Sequence, residues 1–180
     1  MGRLGAYKID LKGQKEAEAS YEWLVDSDFF SALDVEDINR GRLTVNLVVT
    51  KVSGQYELAF SLNGYVVVPC DRCLDDMDQE IDTTGVLKVR LGADFADDGD
   101  VVIVPEEEGM INVAWYIYEF ISLAIPLKHV HTPGKCNSEM TRQLDLHSAP
   151  DEDGGAENGN GPADPRWADL ENLNIEDNNN

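Results

Sequence analysis

The chain has 180 residues, of which 42% are hydrophobic, and this length allows one buried core with additional segments. It carries 35 acidic and 14 basic residues, and the resulting formal net charge of −21 disfavours direct binding of RNA or DNA. Such a charge favours a basic protein partner, with a merely soluble acidic surface as the alternative.

No segment resembles a signal peptide, and no apolar run reaches the roughly 18 residues of a membrane span. The three cysteines are an odd number, which argues against a disulfide framework. We therefore expect a soluble cytoplasmic protein with no membrane contact.

The first half of the chain predicts an antiparallel meander. After short strands at 6–10 and 19–25 and a helical turn in "DSDFFSALD", the segments "RLTVNLVVTKV" and "YELAFSL" alternate apolar and polar residues. The pair Asn63-Gly64 predicts a hairpin turn, because both residues tolerate positive φ, and "YVVVP" is then a third strand.

The second half predicts a long strand, "QEIDTTGVLKVRL", with a bulge at Gly85, and a short strand, "VVIV". A helix follows from an N-cap at Asn112 to Pro126. Its apolar residues cover nearly the whole circumference, so it should be deeply buried or lie across the sheet. Glu119 is the one charge inside it, either at the helix edge or as a hydrogen-bond anchor or partner contact.

From Ser148 the composition predicts a disordered acidic tail, because the segment is rich in Gly, Asn, Asp and Pro. Residues 165–173 could dock on a partner or fold back on the domain. The prediction is an α+β domain at 1–146, with an antiparallel, strongly curved or barrel-like sheet and one main buried helix, followed by a tail at 147–180.

Cys70 and Cys73 form a Cys-x-x-Cys pair at the end of the meander, and such a pair can present two thiolates to one zinc ion. The segment after the helix supplies His131 and Cys136 in a His-x4-Cys spacing. We predict a structural zinc site from Cys70, Cys73, His131 and Cys136, with reduced thiols as the alternative. His129 and His147 are substitutes for His131.

A redox role is disfavoured, because the pair does not open a helix and nearby acids, such as Asp71 and Asp75, should raise the thiol pKa. No glycine-rich phosphate loop, Gly-x-Ser-x-Gly or His-Glu-x-x-His motif is present. The sequence therefore predicts neither an enzyme nor a small-molecule substrate.

The segments "CDRCL", "INVAWYIYEFISLAIPLKHVHTPGKC" and "DPRWADLENL" together resemble the YceD-like family of large ribosomal RNA subunit accumulation proteins. The matching positions are Cys70, Arg72, Cys73, Glu119, Leu123, Ala124, Pro126, Cys136, Asp164, Pro165 and Arg166. The long Asn-rich acidic linker departs from the family pattern and suggests a lineage-specific tail.

The resemblance implies a bacterial-type factor for synthesis, processing or stability of large-subunit (23S) rRNA. Combined with the charge, it predicts an acidic adaptor that binds a basic ribosomal or ribosome-assembly protein. The alternative is a zinc-stabilised nucleic-acid-binding module with a basic patch of Arg72, Lys88, Arg90 and Lys128. A hydrolytic enzyme acting on rRNA has the least support.

Overall fold

The computed structural model describes residues 4–97, 99 and 101–148. The chain divides into two compact units, Met1–Thr141 and Arg142–Asn180. The expected tail and its segment 165–173 lie almost entirely outside the described residues, so the boundary at 146 and the disorder stay predictions. Among the described residues, no helix has both the length and the apolar character needed to cross a membrane.

Eight strands and three helices follow a 3₁₀ turn at Gly5–Tyr7 in the described part of the chain. The strands are β1 Lys8–Asp10, β2 Glu18–Val25, β3 Arg40–Val52, β4 Gln55–Pro69, β5 Asp76–Gly92, β6 Ala96–Asp97, β7 Val102–Pro105 and β8 Met110–Asn112. The helices are α1 Ser27–Leu33, α2 Ala114–Ala124 and α3 Ser138–His147.

Six strands form one sheet in the order β2-β3-β4-β5-β7-β6, and β1 pairs with β8 in a separate two-stranded sheet. All pairings are antiparallel except that of β5 with β7. The predicted α+β class and antiparallel meander are therefore confirmed. The barrel-like alternative is wrong, because β2 and β6 remain separate edges of an open sheet.

The hairpin predicted at Asn63-Gly64 is also wrong, because β4 passes straight through this pair. Gly64 has φ 152° and lies opposite Leu43 of β3 and Ile81 of β5. A Cβ at this position would lie 2.2 Å from the backbone oxygen of Arg42. Glycine is thus required here by the close approach of β3, and the next reversal of the chain comes only after Pro69.

The bulge predicted at Gly85 is wrong, and glycine is needed at this position because another residue packs closely against it. The register of β4 with β5 continues through it without interruption, since Gly85 lies opposite Phe60. A Cβ on Gly85 would lie 2.3 Å from the ring of Phe120. The absent side chain lets α2 place an aromatic ring directly on the sheet, where the Phe60 and Phe120 centroids are 5.2 Å apart.

Helix α2 lies on the core face of the sheet but is buried on one side only. Ala114, Ile117 and Ile121 are buried, whereas Trp115 is 50% exposed and Leu123 is 83% exposed. Of the two sequence-based expectations for α2, deep burial all round is wrong, and the helix packs on β5 of the sheet. Apolar side chains therefore remain on its outer face.

The ends of the helices agree only partly with the sequence-based expectations. Asp26 caps α1, its side chain accepting the N–H of Asp28 at 3.0 Å. Asn112 accepts the N–H of Ala114 at 3.0 Å, although the N-cap is Val113. Helix α3 was not predicted, although Asn137, whose side chain accepts two N–H groups of the first turn, is a recognisable signal.

We predict that Gly64→Ala lowers the free energy of unfolding by at least about 2 kcal/mol, because a methyl group would push β3 away from β4. The matched control is Gly54→Ala in the β3–β4 turn. Gly54 has φ 83° but nothing within 4 Å of a built Cβ, so the conformational cost alone should be about 1 kcal/mol. Urea unfolding of both variants measures the difference, and equal losses would contradict the close-approach explanation.

Candidate metal centre

The chain reversal between β4 and β5 is a six-residue turn, residues 70–75, that carries the Cys-x-x-Cys pair. The N–H of Cys70 donates to the carbonyl of Asp75 at 2.8 Å, and the N–H of Leu74 donates to the carbonyl of Cys70 at 2.9 Å. Leu74 has φ 62°, a left-handed conformation that tightens the turn. The turn buries both cysteines at the end of the longest strand pair in the described fold.

Two sulfur–backbone contacts show how this turn orients its first thiol. The N–H of Arg72 donates to Cys70 Sγ at 3.4 Å, and the N–H of His131 donates to the same sulfur at 3.5 Å. Backbone donors of this kind stabilise a negatively charged sulfur. The second donor comes from the segment after α2, so the turn and that segment already meet at Cys70.

Asp71 joins the same two segments by a pair of backbone contacts. Its N–H donates to the carbonyl of His129 at 3.0 Å, and its carboxylate accepts the N–H of His129 at 2.7 Å. The His129 ring also lies near this carboxylate, with Nε2 at 3.5 Å from Oδ1. Sequence reasoning treated Asp71 only as a nearby charge and missed this role, although an Asp within a tight turn is a general signal for side-chain bonds to backbone.

The structure brings all four predicted ligands together. The ligand atoms of Cys70, Cys73, His131 and Cys136 all lie within 4.8 Å of one another. Cys70 Sγ is 3.9 Å from Cys136 Sγ, and Cys73 Sγ is 3.3 Å from His131 Nδ1. These residues could therefore bind a metal ion.

The distances suit a tetrahedral site for a thiolate-binding ion. With metal–sulfur bonds of about 2.3 Å and metal–nitrogen bonds of about 2.05 Å, tetrahedral ligands are separated by roughly 3.6–3.8 Å. The observed sulfur–sulfur separation of 3.9 Å and sulfur–nitrogen separation of 3.3 Å lie near these values, and every other separation in the cluster is at most 4.8 Å. All three cysteines are free, so their sulfurs are available as ligands.

The thiols differ in their ionisation. Burial acts to raise the pKa of Cys70, but backbone N–H groups outweigh it and lower that pKa to about 6. Those donors belong to His131, Cys73 and Arg72. Burial raises the pKa of Cys136 to about 11, and hydrogen bonding to Cys70 raises the pKa of His131. The expectation that nearby acids keep the turn thiols protonated is thus wrong for Cys70.

The alternative histidines do not join the cluster. His129 points its Nδ1 at the carbonyl of Pro126, 3.0 Å away, and its Nε2 toward Asp71. His147 lies at the end of α3, outside the four-residue cluster. His131 is therefore the histidine that the described geometry places with the three thiols.

The basic residues considered for nucleic-acid binding do not form one patch. Arg72 lies in the β4–β5 turn, and Lys128 adjoins the His129 backbone that is bonded to that turn. Lys88 and Arg90 lie toward the other end of β5, and the twelve residue steps from Asp76 to Lys88 span about 40 Å in an extended strand. The structure thus divides the predicted patch into two distant pairs.

The comparisons with known proteins agree with the resemblance seen in the sequence. A family model described as "Large ribosomal RNA subunit accumulation protein YceD" matches residues 58–174, which is 117 of the 180 residues. The chain belongs to the YceD family. This membership implies a role in the accumulation of large-subunit ribosomal RNA, and the description names no catalytic activity. No curated protein and no solved structure was found to match.

We predict that replacing a residue of the Cys/His cluster weakens metal binding far more than replacing His129, which lies next to the cluster. Cys136→Ser and His131→Ala should each reduce affinity by more than about 100-fold, whereas His129→Ala should cost no more than the roughly 10–100-fold typical of an outer partner. Competition titrations with a chelating dye measure the affinities. Equal losses in His129→Ala and His131→Ala would contradict the ligand assignment.

Proposed function

We propose that the protein is a non-enzymatic ribosome biogenesis factor of the cytoplasm, an acidic adaptor that binds a basic ribosomal or ribosome-assembly protein. The family membership supports a role connected with large-subunit rRNA. The net charge of −21 is the observation that favours a basic protein as the partner. Lysine and arginine contacts supply most of the affinity of proteins for nucleic acid, and this chain offers few of them.

The acidic character extends over the folded body. In the segment between α1 and β3, Asp34, Glu36 and Asp37 are exposed, and the turn after β7 adds the exposed run Glu106–Glu108. An acidic surface of this extent attracts a basic protein and lowers the repulsion that a basic protein meets when it approaches other basic proteins. The adaptor would thereby favour rRNA maturation indirectly, by holding the basic protein before assembly.

We further propose that the Cys/His cluster holds a structural zinc ion. A set of three thiolates and one imidazole is typical of structural zinc, and four protein ligands leave no open position for a reacting water. The bound ion would tie the β4–β5 turn to the segment after α2. Its part in the function is then to shape the surface that the partner meets.

The nucleic-acid-binding alternative is weakened by the positions of its four basic residues. A patch that tracks a phosphate backbone needs neighbouring cations, whereas Arg72 lies in the turn before β5 and Lys88 lies toward the other end of that strand. We therefore place contact with rRNA in the partner protein and not in this chain.

Affinity capture with the full chain tests the proposed function. We expect the tagged protein to retain one or a few basic large-subunit ribosomal or assembly proteins after nuclease treatment, and to release them between about 0.15 and 0.5 M salt as the charges are screened. An unrelated protein of the same size and net charge is the control, and it should not enrich the same partner.

Two results would contradict the adaptor. Recovery of rRNA without any basic protein, persisting at 0.3–0.5 M salt, would favour direct RNA binding. Equal enrichment of basic proteins by the acidic control would show that the captured proteins bind through non-specific charge attraction.

A further inference from the structure

A groove lies beside the first half of α2. The Cys/His cluster, in contrast, takes His131 and Cys136 from the segment that follows the helix. Its volume is about 550 Å³, within the usual range for a binding site. Its apolar lining combines Phe95, Val104, Met110, Ile111, Trp115 and Tyr116. Four separate segments contribute, namely the loop before β6, strands β7 and β8, and α2.

The walls of this groove leave large apolar side chains in water. Phe95 is 63% exposed, Trp115 50% and Met110 45%, while Val104 and Ile111 beneath them are buried. Exposed apolar side chains gathered around a concave surface, as opposed to scattered singly, mark an interaction site. An aromatic pair and a methionine are also the residue types enriched at the centres of protein interfaces.

The charge around the groove has one sign. Asp97, Glu108 and Glu119 line it, and among the described residues no Lys, Arg or His does. Trp115 Nε1 donates to Glu119 Oε1 at 2.8 Å, which fixes the indole and that carboxylate at the same edge. Burial, followed by the negative charges of Asp97 and Glu119, raises the pKa of Tyr116, so the carboxylates act on the interior of the groove.

We propose that this groove binds a basic segment of the partner protein, in which an apolar side chain lies between lysine or arginine residues. The apolar side chain would pack against the half-exposed Met110 and Trp115. The basic residues would pair with the three carboxylates and stack against Phe95. This inference rests on the proposed adaptor function and gives it a contact surface.

Charge reversal at the groove, compared with an equal reversal elsewhere, tests the proposal. The groove variant is D97K/E108K/E119K, and the matched control is E18K/E22K/E80K on the outer face of the sheet, where all three glutamates are exposed. Both variants change the net charge by the same amount. The probe is the RNA-free protein fraction extracted from large ribosomal subunits, and metal content and thermal unfolding confirm that each variant is folded.

We expect the groove variant to bind the captured basic protein at least about tenfold more weakly than the unaltered chain, and the control less than about threefold more weakly. A second readout places a photo-reactive phenylalanine analogue at position 95 or, as its control, at the exposed Val86 on the outer face. Position 95 should cross-link to a partner peptide with Lys or Arg beside an apolar residue, and position 86 should not.

Each contrary result has a distinct meaning. Equal weakening by both variants, or cross-links from position 86 alone, would overturn the groove while leaving the adaptor role intact. Cross-links from position 95 to a second copy of the chain, or to its own residues 165–173, would show that the groove binds that segment and not a basic partner, and would overturn the proposal. If the unaltered chain captures no basic protein at all, the adaptor role fails and the groove proposal fails with it.

Discussion

The fold depends on the meeting of the β4–β5 turn with the segment after α2. Cys70 and Cys136 are 66 residues apart in the chain, yet their sulfurs are 3.9 Å apart. Closing so long a loop has an entropic cost, and the contacts between Asp71 and His129 and the packing of α2 on the sheet help to offset it. A metal ion held by both segments would add to this stabilisation, because its binding free energy becomes folding free energy.

This connection lies at the C-terminal end of α2. The helix is about 16 Å long, with Phe120 on Gly85 of the sheet near its centre. Its last turn leads to the metal cluster, and its first turns carry Trp115 and Glu119 into the acidic groove. A metal ion bound at the Cys/His cluster would fix the C-terminal end of α2 and thereby hold the groove wall against the sheet. The groove lies beside the first half of α2, and the cluster follows the C-terminal end of that helix.

The sequence predicted the Cys/His cluster because the residue types and spacing of its members are restrictive. Cys-x-x-Cys after a strand and His-x4-Cys after a helix leave few other partners, and the structure joins all four. The Asn63-Gly64 hairpin failed because a short turn motif is ambiguous. Glycine is needed at position 64 because the backbone of Arg42, which is remote in sequence, lies too close for a side chain. This contact cannot be recognised until the register of β3 and β4 is known.

The groove could not be predicted for a related reason. Its lining comes from four separate segments, so no local pattern contains it, and the helix pattern suggested only that α2 was apolar all round. The exposed Trp115 and Leu123 become meaningful once Gly85 shows which side of α2 faces the sheet. Likewise, the charge of Asp71 could be read from the sequence, but its hydrogen bonds to the backbone of His129 could not.

Amide hydrogen exchange of the full chain, measured with zinc and after its removal by a chelator, tests the central claim that a metal ion joins the two segments. The Asp71 and His129 amides bond across that junction, whereas the amides of Val45 and Leu58 belong to the sheet ladder. The account predicts that metal removal speeds exchange at the junction by at least about tenfold more than in the ladder. Unchanged exchange at Asp71 and His129 after complete metal removal would contradict it.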